Sequence, residues 1–347
     1  MQFGFGGPPL TGIVYNTTLS RPDSALALAL LYGLEGKREA RVGAVAVSEN
    51  SLGAAAFADV VFRFYQLGQI PNANRIMPVG LAADKPLPPD SPAVKAVLAR
   101  VNDKGEPAYR RGIHKVPDTS EISAQLRNAM AYLADGTMVY VLSAPATYLA
   151  RAMNYPGVTE QIKAKVKALV ICECSQPDVL AIRKVLAEWP SPIVFMGRDT
   201  AEALTYPGST LDTDFAWAPA HPVADFYRAA RSMPYDAPAL DPAAILYASR
   251  PAEFQLSDPG TLEATDSGEL RFLPGGAGKH RRVLLDPAKA PALLATMREL
   301  IAAKPVPPPP RRRFSPEELE KLKKQREEEL KKREEAEQKK ATPPSPL

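Results

Sequence analysis

Short apolar runs recur along the chain, and longer stretches with helical periodicity separate them. Val42–Val47, Met138–Leu142 and Ala168–Cys172 are three such runs, each five or six residues long. Uninterrupted apolar runs of this length are typical of strands that are buried on both faces in parallel sheets. The alternation therefore predicts an α/β fold in which helices cover both faces of a mostly parallel central sheet.

The same pattern predicts the individual elements. Ser20 is the expected N-cap of the first helix, with Pro22 and Asp23 in the first turn. A small β-hairpin is expected within Phe254–Leu273. The expected strands are Gly12–Tyr15, Val42–Val47, Ile76–Leu81, Met138–Leu142, Ala168–Cys172 and Pro192–Met196, and the expected later helices are Ala54–Phe64, Val94–Val101, Glu121–Leu133, His221–Arg231, Pro242–Ala248 and Ala290–Ala303.

A proline-rich segment, PVPPPP, separates the α/β part of the chain from a charged tail. We predict a domain over residues 1–304, a Pro/Arg-rich linker over 305–314, and a helical or disordered tail over 315–347. Residues 311–340 hold 12 of the 43 Lys and Arg residues and 9 of the 39 Asp and Glu residues. These residues, which include three arginines of the linker, therefore carry +3 of the net charge of +4, so we expect no specific nucleic-acid binding; the tail's partner stays open.

The cysteines and the hydropathy pattern limit the cellular setting. Cys172 and Cys174 are too close in sequence for an ordinary disulfide and too few for a closed zinc site. No apolar run reaches the roughly 18 residues that a transmembrane helix needs. The first ten residues show neither a basic segment nor a long apolar one, so no signal peptide is visible. We expect a cytoplasmic protein without a transmembrane segment.

Four segments carry a family resemblance. Ile13–Leu31 (IVYNTTLSRPDSALALALL) is a strand, a turn and an Ala/Leu-rich helix, and Val45–Asn50 ends the next strand in Asn. Met138–Ala150 (MVYVLSAPATYLA) and Ala239–Ala248 (ALDPAAILYA) follow in order. Together they resemble the inosine-uridine preferring nucleoside hydrolase family, whose chains open with a D-x-D-x-G-x-D-D-A turn and later carry an H-D-P-L-A helix start. The resemblance covers about residues 10–300.

The resemblance implies a chemistry. Members of that family hydrolyse the N-glycosidic bond of nucleosides with a calcium ion held by the aspartates of the turn and the late aspartate. Calcium prefers six to eight oxygen ligands, several of them carboxylates, and a metal-bound water loses its proton more readily. On this resemblance Asp23 matches the first aspartate of the D-D pair, Asp241 matches the late aspartate, and Asn50 matches the strand-end Asn.

The chain departs from the family pattern at the positions that hold calcium. Ser24 replaces the second aspartate of the pair, and Thr17 and Leu19 stand where the earlier two aspartates are expected. No acidic residue occurs in residues 1–22. Neither Thr17 nor Leu19 titrates near neutral pH, so the general base is missing as well. We therefore predict weak hydrolysis or none, with calcium absent or weakly bound by Asp23 and Asp241.

Four residues are candidate contacts for a nucleoside or ribose-like ligand: Asp23, Asn50, Trp217 and Asp241. Each has a structural alternative. Asp23 suits the first turn of a helix because of the helix dipole, and Asp241 precedes a proline as helix N-caps often do. The Asn50 amide could bond its own turn, and the indole of Trp217 could pack a loop onto the domain.

Three functions remain open at this point. The first is a protein that binds a nucleoside or ribose-like molecule, with little or no catalysis, in the pocket that the family resemblance implies. The second is an active hydrolase that uses other acids, such as Asp212 or Asp214. The third is a protein-interaction module that acts through the charged tail. An oligomer is compatible with all three.

Overall fold

The computed structural model describes residues 9–66 and 79–306. Within these residues the strands are β1 (Thr11–Thr17), β2 (Ala40–Val47), β3 (Val79–Leu81), β4 (Met138–Ser143), β5 (Val166–Cys172), β6 (Ile193–Met196), β7 (Thr205–Tyr206), β8 (Ala237–Pro238), β9 (Gln255–Leu256), β10 (Gly260–Ala264), β11 (Leu270–Pro274) and β12 (Arg281–Leu284). The helices are α1 (Pro22–Gly36), α2 (Leu52–Gln66), α3 (Pro92–Ala99), α4 (Ile122–Tyr132), α5 (Thr147–Ala152), α6 (Val158–Lys165), α7 (Val179–Glu188), α8 (Arg198–Ala203), α9 (Leu211–Asp214), α10 (Pro222–Ala230), α11 (Leu240–Ser249) and α12 (Ala290–Ile301). Nearly all of the predicted linker and the whole tail lie outside the described residues, as does the first half of the predicted strand Ile76–Leu81.

The central sheet has eight strands in the order β3-β2-β1-β4-β5-β6-β12-β9. All neighbouring pairs are parallel except β12 and β9, which pair antiparallel at one edge. Successive residues of a strand point to opposite faces of a sheet. Accordingly Val139 and Val141 of β4 enter one apolar core, while Tyr140 and Leu142 enter a second one. Helices cover both faces, and the predicted fold class is confirmed.

Helix α1 lies in the middle of the first core. Every residue from Pro22 to Leu34 is buried, and the helix packs against α11 and α12 as well as against the sheet. The backbone of α12 passes so close that a Cβ on Gly33 would lie 2.2 Å from the carbonyl oxygen of Leu300. Only glycine leaves room for this approach.

None of the helices in the described ranges combines the length and apolar character that crossing a bilayer requires.

Two predicted helix starts differ from the structure. Arg21, and not Ser20, occupies the N-cap position of α1, because the Ser20 hydroxyl instead shares a hydrogen bond of 2.8 Å with Thr18. Asp241 is the second residue of α11 rather than its N-cap, which is Ala239. The side chain of Asp241 is therefore not used as a helix cap. Its contacts lie across the domain.

The last part of the domain was only partly predictable. The expected hairpin is present as β10 and β11, which pair antiparallel. The short strand β12 was missed because Arg281 and Arg282 begin it, so it lacks an apolar run. It extends the parallel sheet beside β6, and β9 closes that edge.

Candidate functional site

The order of the strands reverses between β1 and β4. From β1 the chain builds the sheet outward through β2 and β3, then returns to the other side of β1 with β4. In open parallel sheets, ligands bind outside the carboxyl ends of the strands at such a point. Thr18 follows β1 there, Ser143 ends β4, and both line a cavity of about 530 Å³. The cavity is of the size that small-molecule sites have.

The carboxylate of Asp241 is fully buried behind Arg21 and Ser143, two of the residues that line this cavity. Four side chains donate hydrogen bonds to it, two to each oxygen. The Tyr15 hydroxyl (2.5 Å) and the Ser24 hydroxyl (2.9 Å) donate to Oδ2. The Ser143 hydroxyl (2.6 Å) and Nη2 of Arg21 (3.3 Å) donate to Oδ1. Burial, with the charge of Asp241, raises the pKa of Tyr15, so the phenol remains a donor.

Arg21 joins Asp241 to a second carboxylate. Its Nε lies 3.1 Å from Oδ1 of Asp23, and its Nη2 lies 3.1 Å from Oδ2 of the same residue. This is the paired geometry in which the planar guanidinium matches both carboxylate oxygens. The Asp23 side chain is 4% exposed, whereas that of Arg21 is 45% exposed and lines the cavity. One guanidinium therefore contacts both buried acids and also reaches the cavity.

The electrostatics of the pair follow from burial. Burial and the nearby charge of Asp241 raise the pKa of Asp23 to about 7, although the Arg21 guanidinium opposes this shift. For Arg21, burial opposes the charged form, but the two carboxylates hold its pKa above the ordinary value. Asp23 therefore titrates near neutral pH while Arg21 remains a cation.

The donor set does not fit calcium. Calcium takes six to eight oxygen ligands and relies on several carboxylates. In residues 9–66 and 79–306, no group of three or more His, Cys, Asp or Glu side chains is arranged to hold a metal ion. Both oxygens of Asp241 already accept two hydrogen bonds each, and Arg21 lies against both acids. A metal ion would have to displace these donors.

Asn50 braces two loops at the same edge of the sheet. Its amide nitrogen donates to the carbonyl oxygen of Thr18, and its amide oxygen accepts from the backbone N–H of Ser51 at 2.7 Å. Leu19 and Glu49, in these two loops, have φ values of 50° and 52°. Left-handed backbone is costly for residues other than glycine and concentrates at functional sites. The Asn50 side chain thus holds a strained loop pair, and it lines a smaller adjacent cavity of about 220 Å³.

The outer wall of the main cavity carries further charged and aromatic groups. Glu173 accepts from the backbone N–H of Arg198 at 2.7 Å and pairs with its guanidinium at 3.3 Å. Tyr235 presents an aromatic surface and stacks on Tyr227 with a centroid distance of 4.4 Å. Cys174 also lines the cavity, but burial raises the pKa of its thiol to about 12, so it is not an activated nucleophile.

At the level of sequence, no protein-family model matches the chain, and no curated protein matches it. Solved structures do match. The chain is similar to a plant nucleoside hydrolase, with 15% identity and a TM-score of 0.60 over 85% of this chain and 100% of that one. It is also similar to a purine-preferring ribonucleoside hydrolase from Gardnerella vaginalis, with 14% identity and a TM-score of 0.61 over 84% and 98%.

A third similar structure is the type III effector protein XopQ, determined in complex with adenosine diphosphate ribose. Its identity to this chain is 14%, and the TM-score is 0.55 over 85% of this chain and 95% of that one. This chain has the nucleoside hydrolase fold. At these identities the likeness establishes the fold alone, which is the fold that the sequence resemblance implied.

Placed on the nucleoside hydrolase fold, the predicted site residues separate into two groups. Asp23 lines the cavity and Arg21 connects it to the buried Asp241, while Asn50 lines the smaller adjacent cavity. Trp217 is not among the described residues that line the cavity; its indole N–H donates to the carbonyl oxygen of Ala302 at 2.9 Å. The loop-packing alternative describes its position.

The two acids that were proposed as replacements have other partners. Asp214 accepts hydrogen bonds from Tyr206 at 2.7 Å and from Arg298 at 2.8 Å. Asp212 pairs with Arg228 at 2.6 Å and is 81% exposed. Neither lines the main cavity of the described chain. They do not supply the missing acids of this site in the structure.

Sequence reasoning missed Arg21, Tyr15 and Ser143. Arg21 stands immediately before Pro22 and two residues from Asp23, which was the one local signal that it could pair with that acid. Tyr15 and Ser143 belong to apolar strands, and nothing in their surroundings indicates that they converge on Asp241. Their sequence separations from Asp241 are 226 and 98 residues.

Proposed function

We propose that this chain is a nucleoside hydrolase-family protein that binds a nucleoside or another ribose-bearing ligand in its cavity and hydrolyses it weakly or not at all. The observation that carries the proposal is the pair of buried carboxylates, Asp23 of α1 and Asp241 of α11, bridged by the guanidinium of Arg21. It retains polar groups that suit sugar hydroxyls. It does not supply the set of carboxylates that a calcium-held water requires.

The cavity offers complementary groups for such a ligand. Asp23 can accept from a hydroxyl and Arg21 can donate to one, while the Ser143 hydroxyl, which already donates to Asp241, can accept. Tyr235 adds an aromatic surface suited to a base or another flat group. The adenosine diphosphate ribose that XopQ binds on a similar fold supports a ribosyl ligand here.

The test is ligand-induced stabilisation of the full-length chain, followed by calorimetry. The panel is inosine, uridine, adenosine, adenosine diphosphate ribose and D-ribose, each with and without chelator. A ligand at a hundred times its dissociation constant stabilises by about 2.7 kcal/mol, which is readily seen as a rise in melting temperature. We expect at least one ribosyl compound to act regardless of chelator, and its 2′,3′-dideoxy analogue to act much more weakly.

Asp23→Asn is the variant that should weaken this binding, because it replaces a carboxylate that lines the cavity. Asp212→Asn is the matched control, since it makes the same change at an exposed acid outside the cavity. If no compound on the panel shifts the melting temperature, or if both variants reduce affinity equally, the proposed ligand site is wrong.

A second candidate is slow hydrolysis with Asp23 as the general base. The observation that favours it is the pKa of Asp23, raised to about 7 by burial and by Asp241, which is the range useful to a base at neutral pH. Release of base from inosine or uridine at high enzyme concentration would support it if Asp23→Asn abolished the release and Asp212→Asn did not. A flat assay leaves binding as the function.

A further inference from the structure

We propose that Arg21 is a built-in cation that does the electrostatic work of a divalent metal at this site. Asp23 and Asp241 are 3% and 0% exposed, and they lie close enough for one guanidinium to contact both. Two buried carboxylates destabilise a fold unless a positive charge or a shared proton compensates them. The other side-chain donors to Asp241 are the neutral hydroxyls of Tyr15, Ser24 and Ser143.

The local backbone explains how Arg21 reaches this position. Arg21 is the N-cap of α1, with φ −124° and ψ 155°, and Pro22 follows it. A residue before proline is restricted to extended conformations, so the start of the helix fixes the backbone from which this side chain leaves. The side chain then returns to the first turn of its own helix, where Asp23 lies. The position depends on the sequence Arg-Pro-Asp and on the contact with α11.

Guanidinium is the side-chain group suited to this role. Its Nε and Nη2 donate in parallel to the two oxygens of Asp23, and Nη2 also donates to Asp241. A lysine ammonium carries the same charge but lacks this fixed, planar arrangement of donors. The arginine therefore offsets one of the two negative charges and holds the two acids together, which are two tasks that a bound metal ion performs.

One donor nitrogen of Arg21 is left for a ligand. Within the described residues, Nη1 of Arg21 makes no hydrogen bond, and the side chain is 45% exposed on the cavity wall. Nη1 is therefore available to an oxygen of a ligand, next to Asp23 as an acceptor. This last step rests on the proposed function: it assigns a vicinal diol, bound without metal, to Arg21 and Asp23.

The decisive experiment removes the arginine and supplies a metal, with no organic ligand present. The melting temperature of the full-length protein is measured for wild type and Arg21→Ala in chelator and in millimolar calcium chloride. We expect wild type to be insensitive to calcium. We expect Arg21→Ala to melt about 5 °C lower or more in chelator, because the acids lose their cation, and to recover part of that loss with calcium.

Arg250→Ala is the matched control. Arg250 makes the same paired contact with Glu39, at 2.7 and 2.9 Å, and its side chain is 28% exposed. The second carboxylate that contacts this guanidinium, Glu253, is 34% exposed rather than buried like Asp241, so we expect a loss of stability that calcium does not recover. Recovery in both variants would show a general salt effect and would overturn the proposal.

A second variant covers the outcome in which Arg21→Ala does not fold. Arg21→Lys keeps the charge, so we expect a folded protein that is insensitive to calcium and binds the active ribosyl ligand about tenfold more weakly, because the donor that Nη1 offers to the ligand is lost. The proposal is wrong if Arg21→Ala is as stable as wild type, if chelator lowers the melting temperature of wild type, or if Arg21→Lys binds ligand as tightly as wild type.

Failure of this inference and failure of the proposed function can be told apart. The calcium experiment contains no nucleoside, so its result stands even if every ligand on the panel is inactive. Conversely, ribosyl binding in wild type with no calcium response in Arg21→Ala would keep the proposed function and remove the role of Arg21 as a cation substitute.

Discussion

Two buried polar clusters in this domain differ in how they avoid an uncompensated buried charge. At the cavity, Asp241 and Asp23 are compensated by Arg21 and by hydroxyl donors. At the start of α10, His221 is also fully buried, but it packs among the aromatic rings of Phe64, Tyr65, Phe215 and Trp217.

His221 avoids a buried charge by remaining neutral, whereas Arg21 compensates the two buried carboxylates. Burial, with a smaller effect of Arg228, lowers the pKa of His221 to about 3. Its Nδ1 accepts from the backbone N–H of Ala224 at the start of α10, so Nε2 carries the proton and donates to the Tyr65 hydroxyl at 3.1 Å. Burial alone therefore does not mark a candidate site. The acids matter because a cavity reaches Arg21 and Asp23.

The largest effect that separates the clusters should come from Asp241→Asn. An amide cannot serve as acceptor for all four donors, and Arg21 loses one of its two carboxylates. Breaking a buried charged network of this kind costs about 3–5 kcal/mol. Urea denaturation should show this loss, whereas Asp212→Asn, at an exposed ion pair, should cost about 1 kcal/mol or less. Equal losses would mean that the Asp241 network is not a major source of stability.

A pH titration should then distinguish the two clusters by sign. The folded pKa of Asp23 is about 7, raised above its ordinary value of 3.8. Its contribution to stability is therefore fully present below about pH 3.8 and is lost as the pH rises through 7. From pH 5 to pH 8, Asp23→Asn should gain on the order of 2 kcal/mol relative to wild type in free energy of unfolding. A difference that does not change with pH would contradict the shifted carboxyl.

His221 should show the opposite dependence. Its folded pKa of about 3 lies below the ordinary value of 6.5, so its contribution is present above pH 6.5 and is lost as the pH falls towards 3. His221→Asn keeps a neutral N-cap acceptor, although it loses aromatic packing. Between pH 7.5 and pH 5, wild type should lose about 1–2 kcal/mol relative to this variant. A parallel loss in both proteins would exclude His221 as the source.

The smallest effect is expected at Trp217. Trp217→Phe removes the indole N–H that donates to Ala302 but keeps most of the aromatic packing. The free energy of unfolding should therefore fall by about 1 kcal/mol. Affinity for any ribosyl ligand should be unchanged, as calorimetry can check. A loss of affinity would restore Trp217 as a ligand contact.

The sequence was sufficient for the elements whose pattern is local. The strands β1, β2, β4, β5 and β6 each contain a short apolar run that predicted them, and the structure contains all five. It was insufficient where an element has no pattern, as in β12, or where a side chain has two plausible uses. Ser20 satisfied the rule for an N-cap, yet its hydroxyl bonds Thr18, because Arg21 and Pro22 begin the helix one residue later.

What the sequence determined by itself was the parallel α/β order and the shortage of acids before residue 23. Both are properties of composition and spacing along the chain, which need no distant contact to be read. What only the tertiary structure decided was that Arg21 contacts Asp241 across 220 positions and that Tyr15, Ser24 and Ser143 converge on the same carboxylate. Those contacts depend on strand register and on the direction of each side chain. Packing of the whole domain fixes both.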